Sequence, residues 1–446
     1  MKRITVLTAV FLFGTVVMAQ KPDISWFASN PDAKTFSIAN ADQLAGLAAL
    51  VNNIAGLGQA VDFDGKTIVL TDNVDLSVYG ENYNNKQGWL PIGYENSFHG
   101  IFDGKGKTIS GLYINRGGWV AGLFGKIGKR GEVKNLGLVN VRISGSRDIG
   151  AIVGNFSGRL IAKCYSTGSI VVPGGGGISV GGIAGNFVGS DVSEKGMVDC
   201  YSSATVKSYY QAGGLIGSFE GSQINGCYFT GVVEGTKSIG GIVGLMGRGS
   251  IGNCYSAGVV SGSVTSDEGS YVGGIVGAAD GGRIFNCYST SVVVGRLSVG
   301  GILGSWGFGS SGNNEVINCY STGSVSGVNY VGGVVGSETY RGGKVSNCAA
   351  LNPSIKASGS NFGRVTGGGE VVSQGIVAFA GMTNSSGNTL WINKTATEKN
   401  GLDITADKIK TDPTIGGRFT IKNGWVTKIG KLPGLGATVD MPEHLK

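Results

Sequence analysis

Histidine is almost absent from this chain. His99 and His444 are its two copies in 446 residues, which leaves no set for His-based zinc ligation or for a Ser/His/Asp or Cys/His relay. Charge is sparse as well, at 15% Asp, Glu, Lys and Arg, low for a coiled coil or a helical enzyme of this length. Proline, at 8 residues, is too scarce for a Pro/Gly-rich disordered chain, and no Gly-X-Y period signals collagen. No Cys-x-x-Cys pair is available to hold a metal. No segment reaches the roughly 18 consecutive apolar residues of a membrane-spanning helix. The excess of positive charge, +7 overall, is small and unclustered, with no basic stripe carrying interleaved aromatics, so nucleic acid is not an expected partner.

Glycine fills part of this gap, at 83 residues, or about 19% of the chain against about 7% in ordinary proteins. Hydrophobic residues make up 41%, enough for a large core. The first 19 residues read as a signal peptide: Lys2 and Arg3, an apolar run from Val6 to Val17, and a cleavage site expected after Ala19. This implies an exported protein, secreted or held at the cell surface. No cysteine lies near the cut to take a lipid anchor.

Self-similarity is the dominant signal. A five-residue unit recurs as Ala121–Gly125, Gly150–Gly154, Gly181–Gly185, Gly213–Gly217, Gly240–Gly244, Gly273–Gly277, Gly300–Gly304 and Gly332–Gly336, with starts 27 to 33 residues apart. Each is followed by a second unit such as Ile251-Gly-Asn-Cys-Tyr-Ser256 and then a short Gly-Val stretch such as Gly258–Ser261. Three short β-prone segments per repeat cannot bury a face alone, but stacked coils can. The expected fold is all-β, a parallel β-helix of ten or eleven coils of about 30 residues. A propeller, with four strands in about 40–50 residues per blade, ranks second.

All seven cysteines, Cys164, Cys200, Cys227, Cys254, Cys287, Cys319 and Cys348, occupy one repeat position, and Leu136 holds the equivalent place in the first repeat. A small hydrophobe belongs there, so an internal column of unbridged thiols is expected, with occasional bridges sterically within reach. The preceding residue is Asn, Asp or Gly in every repeat except at Lys163. Those residues tolerate left-handed backbone, which places a sharp bend between two strands. If cysteine points inward, the next residue points outward: Tyr165, Tyr201, Tyr228, Tyr255, Tyr288 and Tyr320. Six stacked tyrosines would stiffen the rod, or offer a platform to sugar rings or a partner protein.

Loop variation is the other place for binding. Insertions fall at Asn186–Gly196 and Ser305–Glu315, the second containing Trp306 and Phe308. Trp306 aligns with Ile127, Phe156, Phe187, Phe219 and Met246, which favours a core role; Phe308 is the better candidate for an exposed contact. Acids in the repeats (Asp191, Glu194, Asp199, Glu220, Glu234, Asp267, Glu268, Asp280, Glu315, Glu338) are scattered and form no repeated pair. Asp267-Glu268 reads as a solvated turn, calcium nonapeptide units are absent, and the column Thr167, Ser203, Thr230, Ala257, Thr290, Thr322, Ala350 is too irregular for an ice-binding array.

Ahead of the repeats, Asn40-Ala-Asp-Gln43 resembles a capping box, with Leu44, Leu47, Leu50, Val51 and Ile54 at helical spacing. Such a helix, just before the strands, would cover the open edge of the first coil. Larger coils are expected through Gly65–Leu70 and Phe102–Leu112. The expected organisation is a signal peptide (1–19), a capping helix and first coils (20–120), the repeats (121–350) and a C-terminal cap (351–446) suggested by Trp391, Trp425 and Leu432-Pro433.

The Gly-Gly-Ile-Val-Gly and Asn-Cys-Tyr-Ser units, Gln43–Ala49 and Phe102–Ile109 together resemble bacterial GLUG-motif proteins over about residues 37–350. The resemblance implies an exported, surface-associated β-helix, and by fold analogy a right-handed one. The motif accompanies some IgA-specific metallopeptidases, but this chain has no His-Glu-x-x-His, so that activity is not implied. The sequence therefore points to a non-catalytic adhesin or a glycan- or protein-binding surface protein, with no cofactor and no metal. A polysaccharide lyase or glycosidase is the alternative, and a passive spacer the third reading.

Overall fold

The computed structural model describes residues 21–173, 176–189, 196–265, 270–306, 314–338, 343–369 and 371–446. The expected signal peptide and Phe308 lie outside the described residues, as do Asp191, Glu194, Asp267 and Glu268.

One coil shows how the sequence closes on itself. Strands Ser222–Asn225, Tyr228–Phe229, Val232–Gly235, Lys237–Gly240 and Val243–Met246 follow one another around the circuit. Ile224, Cys227, Phe229, Val233, Ile239, Ile242, Val243 and Met246 point inward and are fully buried. The next coil repeats the circuit one rung along, in register: Ile224 beside Ile251, Tyr228 beside Tyr255, Val233 beside Val260, Ile239 beside Val272 and Val243 beside Val276. The ladder pairings are parallel, and one ladder among the described residues has twelve strands, from Thr35–Ile38 to Val372–Gln374. At about 4.8 Å per rung, about eleven turns make a parallel β-solenoid on the order of 50 Å long.

The bend before the cysteine column is left-handed in every coil. φ is 55° at Asn135, 53° at Lys163, Asp199 and Asn253, and 51° at Asn286, Asn318 and Asn347. Side chains there form their own ladder: Asn253 donates to Asn225 at 2.8 Å, and Asn318 to Asn286 at 3.2 Å. The paired glycines have a different cause. A Cβ on Gly241 would fall 2.1 Å from the carbonyl oxygen of Gly274 and 2.3 Å from Ser256 Oγ, so neighbouring coils approach too closely there for any side chain.

At the N-terminal end, Asn40 caps helix Ala41–Val51 by accepting from the Gln43 amide at 3.0 Å, while Gln43 Oε1 accepts from the Ala39 amide at 2.8 Å. The reciprocal capping box is formed. The helix does not precede the strands, however. Thr35–Ile38 comes first and pairs with Thr67–Leu70, and the helix is an excursion between these two rungs. It buries Leu44 through Val51, while Ile54 lies beyond its end and is 62% exposed.

At the other end, strands run on past residue 350, where the sequence repeat fades. Ile355–Ala357, Phe362–Gly363, Thr366–Gly368 and Val377–Phe379 continue the ladders, and Leu402–Ile404 adds the last rung. Arg364 closes this end from inside. Fully buried, it pairs with Asp403 at 2.6 Å and donates to the carbonyls of Asn400 and Gly401. No helix among the described residues is long and apolar enough to cross a membrane.

Candidate functional site: the tyrosine ladder

The cysteine column sets up the site. Each thiol is inside the solenoid and unbridged, and Cys200 Sγ accepts from the Cys164 amide as Cys227 Sγ does from Cys200. Desolvation pushes the Cys164, Cys227, Cys254 and Cys319 thiols well above their ordinary range, so these are packing groups rather than nucleophiles.

With cysteine inward, the strand alternation turns the following tyrosine outward. The six rings form one parallel stack. Centroids from Tyr165 through Tyr201, Tyr228, Tyr255 and Tyr288 to Tyr320 are 4.9, 4.8, 4.8, 4.9 and 5.2 Å apart, with planes within 6° of parallel. The rung spacing of the sheet dictates that separation. Burial raises the phenol pKa of Tyr201, Tyr228 and Tyr255 above the usual value, and neighbouring rings add to this at Tyr201 and Tyr255.

Only part of the ladder faces solvent. Tyr165, Tyr201, Tyr228 and Tyr255 are half-buried, whereas Tyr288 and Tyr320 are covered. The chain beyond Ile404 turns back along this face. Trp425 and Phe419 pack against Tyr320 at 5.7 and 5.3 Å between centroids, and Tyr320 Oη donates to the Pro433 carbonyl at 2.5 Å. Asn286 donates to the Asn423 carbonyl at 3.0 Å. Tyr288 and Tyr320 are thus removed from the candidate contact set. The rung after Tyr320 is Ala349, where the tyrosine ladder ends.

Trp306 is removed for a different reason. It sits in the inward column after Met246 and Ala279, 1% exposed, with Gly343 leaving room for its indole. A ligand outside the solenoid cannot reach it.

Carboxylates on the outer surface are engaged with cations on adjacent coils: Glu220 with Arg248 at 2.8 Å, Glu234 with Lys207 at 3.1 Å, and Glu315 with Arg283 at 2.9 Å and Lys344 at 3.7 Å. No group of three or more His, Cys, Asp or Glu among the described residues could hold a metal ion. Sequence reading missed the surroundings of Tyr165, where Gly137 takes the next rung in place of a tyrosine.

The GLUG motif matches residues 268–294, a stretch spanning one paired-glycine unit and one cysteine–tyrosine unit. Halomucin of Haloquadratum walsbyi is 35% identical over 119 residues, 26% of this chain and 1% of that protein. A protein of Evansella cellulosilytica provisionally named a Gly-rich membrane protein is 37% identical over 114 residues, 24% of this chain and 12% of that one. This chain therefore spans a small fraction of both relatives. Among solved structures, a Bacteroides ovatus protein provisionally assigned as an immunoglobulin A1 protease aligns over 91% of this chain and 93% of its own at 19% identity, with a TM-score of 0.34. The matched unit is the one that recurs around the coils, and the chain carries the GLUG motif.

Proposed function

We propose that this chain is an exported, non-catalytic surface protein that binds glycan or protein through the open part of its tyrosine ladder. The observation that carries this reading is the half-exposed run Tyr165–Tyr201–Tyr228–Tyr255, four parallel rings on a rigid sheet. Aromatic edges and hydroxyls at a fixed repeat combine apolar area with hydrogen-bonding groups at low conformational cost, as binding surfaces generally do. The carboxylates support the same reading: each outer acid described above faces a cation rather than a second acid, which is not the paired arrangement that glycoside cleavage uses. The names of the two relatives, a halomucin and a Gly-rich membrane protein, fit a role at the cell surface.

The test is binding of the full chain to a broad panel of glycans and matrix proteins, with product analysis on every polysaccharide. Saturable binding that weakens in Tyr201→Ala and Tyr228→Ala is expected. Cleavage of any polysaccharide would overturn the non-catalytic reading, and silence across the panel would leave a spacer.

A further inference from the structure

The tyrosine stack has two ends, and they differ. At Tyr320 the last ring is covered by Trp425 and Phe419. At Tyr165 no ring follows: the register partner is Gly137, and the partner beyond that is Thr108. The Tyr165 ring reaches over the bare glycine, so that a Cβ on Gly137 would lie 2.4 Å from Tyr165 Cζ. Tyr165 therefore stacks on Tyr201 alone, while Tyr201, Tyr228 and Tyr255 are each held between two rings. The step borders an open concavity of about 480 Å³ lined by Tyr165, Gly137, Asn135, Gly106, Lys105 and Lys163.

Both lysines are held in left-handed backbone, with φ of 51° at Lys105 and 53° at Lys163. At the Lys163 position every other coil from 135 to 375 carries Asn, Asp or Gly, the residues that accept this conformation most readily. Lys163 thus breaks the column's rule at backbone cost, and it does so beside the one open ring of the stack. Backbone strain that a sequence keeps tends to mark function. Lys163 is exposed and makes no ion pair among the described residues. Lys105 and Lys134 approach Asp103 at 3.3 and 4.0 Å, and Asn135 donates to the same carboxylate at 2.9 Å. Two ammonium groups thus approach one nearly buried acid, and Lys163 adds a further positive charge to the lining, which leaves the shelf positively charged.

We propose that this shelf binds an anionic sugar residue, its ring set against Tyr165 and its carboxylate or sulfate held by Lys163 and Lys105. The proposal deepens the ladder reading and rests on it. A uronate or sulfated pyranose combines a rigid ring with an apolar C–H face and a charge a fixed distance away, and the shelf offers the complement of each within one small space.

The experiment is titration of the full chain with hexagalacturonate and with neutral cellohexaose, on the wild type and on Lys163→Asn, which restores the residue found in other coils. The wild type is expected to prefer the charged oligosaccharide by about tenfold or more, the contribution of one charge-assisted hydrogen bond. Lys163→Asn should lose that preference while its melting temperature stays the same or rises. Equal affinity for the two sugars in the wild type, or an undiminished preference in Lys163→Asn, overturns the shelf. Poly-glutamate binding with the same dependence on Lys163 overturns it in favour of an acidic peptide. Sugar binding lost in Tyr228→Ala but indifferent to Lys163 leaves the ladder reading standing without the shelf. Failure of both sugars to bind the wild type sinks both.

Discussion

Trp425 and Tyr320, 105 positions apart in the sequence, lie with ring centroids 5.7 Å apart and planes 40° from parallel. That contact lets the C-terminal segment dress the last two rungs of the ladder. The fit has a flaw, because Trp425 Nε1 is buried with no hydrogen-bond partner. Trp425→Ala should cost about 3–5 kcal/mol, as for other buried large aromatics, and should make Tyr288 and Tyr320 reactive to tyrosine nitration. Trp425→Phe keeps a ring and discards the orphaned N–H, whose burial costs about 1–3 kcal/mol. It should therefore lie within about 1 kcal/mol of wild type by denaturant melting. A large loss in Trp425→Phe would mean that the indole nitrogen has a partner in solution.

The seven thiols make a second prediction. All are buried and unbridged, so a thiol reagent should find none in the native protein and seven after denaturation without reductant. Cys254→Ala should cost about 1–2 kcal/mol, in the usual range for a modest core truncation. Fewer than seven thiols in the denatured, unreduced protein would reveal bridging along the column.

Two positions separate backbone conformation from packing. Asn253, at φ 53°, needs left-handed backbone, and its side chain donates to Asn225 at 2.8 Å and accepts from Asn286 at 3.3 Å. Asn253→Gly keeps the conformation and should lose only the ladder hydrogen bonds, about 0.5–1.5 kcal/mol, whereas Asn253→Val should lose about 1–2 kcal/mol more from the left-handed conformation. Gly241→Ala has no such tolerance, because its Cβ would meet the Gly274 carbonyl oxygen at 2.1 Å. A loss above about 4 kcal/mol, the range reserved for severe core defects, is expected in equilibrium unfolding. A mild effect would show that adjacent coils can separate locally.

What the sequence made legible follows from that same division. The cysteine column, the bend before it and the outward tyrosines recur at fixed offsets, so period and residue type locate them. A second left-handed column, Asp148, Ser179, Gln211, Ser238, Ser298 and Tyr330, went unread because no residue type unites it; the glycine that closes the five-residue unit of the next coil makes room for it, since a Cβ on Gly217 would fall 2.3 Å from the Ser179 carbonyl carbon and one on Gly277 2.6 Å from that of Ser238. The solenoid beyond residue 350 was hidden because ladder pairing is a backbone property, and coils such as Ile355–Ala357 keep the pairing after the side-chain pattern has gone. Arg364 reads as a surface cation until Asp403 and two carbonyls close around it. The lysine exception at position 163 was visible from the start, but its meaning required knowing that Gly137 lies beneath Tyr165.

His444 links the end of the chain to the solenoid and should respond to pH. Its Nε2 donates to the Leu351 carbonyl at 2.7 Å, and its ring lies 5.7 Å from that of Phe379. Burial holds its pKa below the ordinary 6.5, outweighing the opposing effect of the Leu351 hydrogen bond. The folded chain therefore binds fewer protons at this site than the unfolded chain at mildly acid pH, and stability rises with pH through that window. The contribution is complete above about pH 6.5, the unfolded value, declines as pH falls towards the lower folded value, and is constant below it. Melting temperatures between pH 7.5 and 5 should fall more steeply for wild type than for His444→Gln, which can still donate to Leu351 but cannot take up a proton. Wild type gaining stability relative to His444→Gln as pH falls would show the opposite, a ring that is charged in the folded protein and paired with an acid.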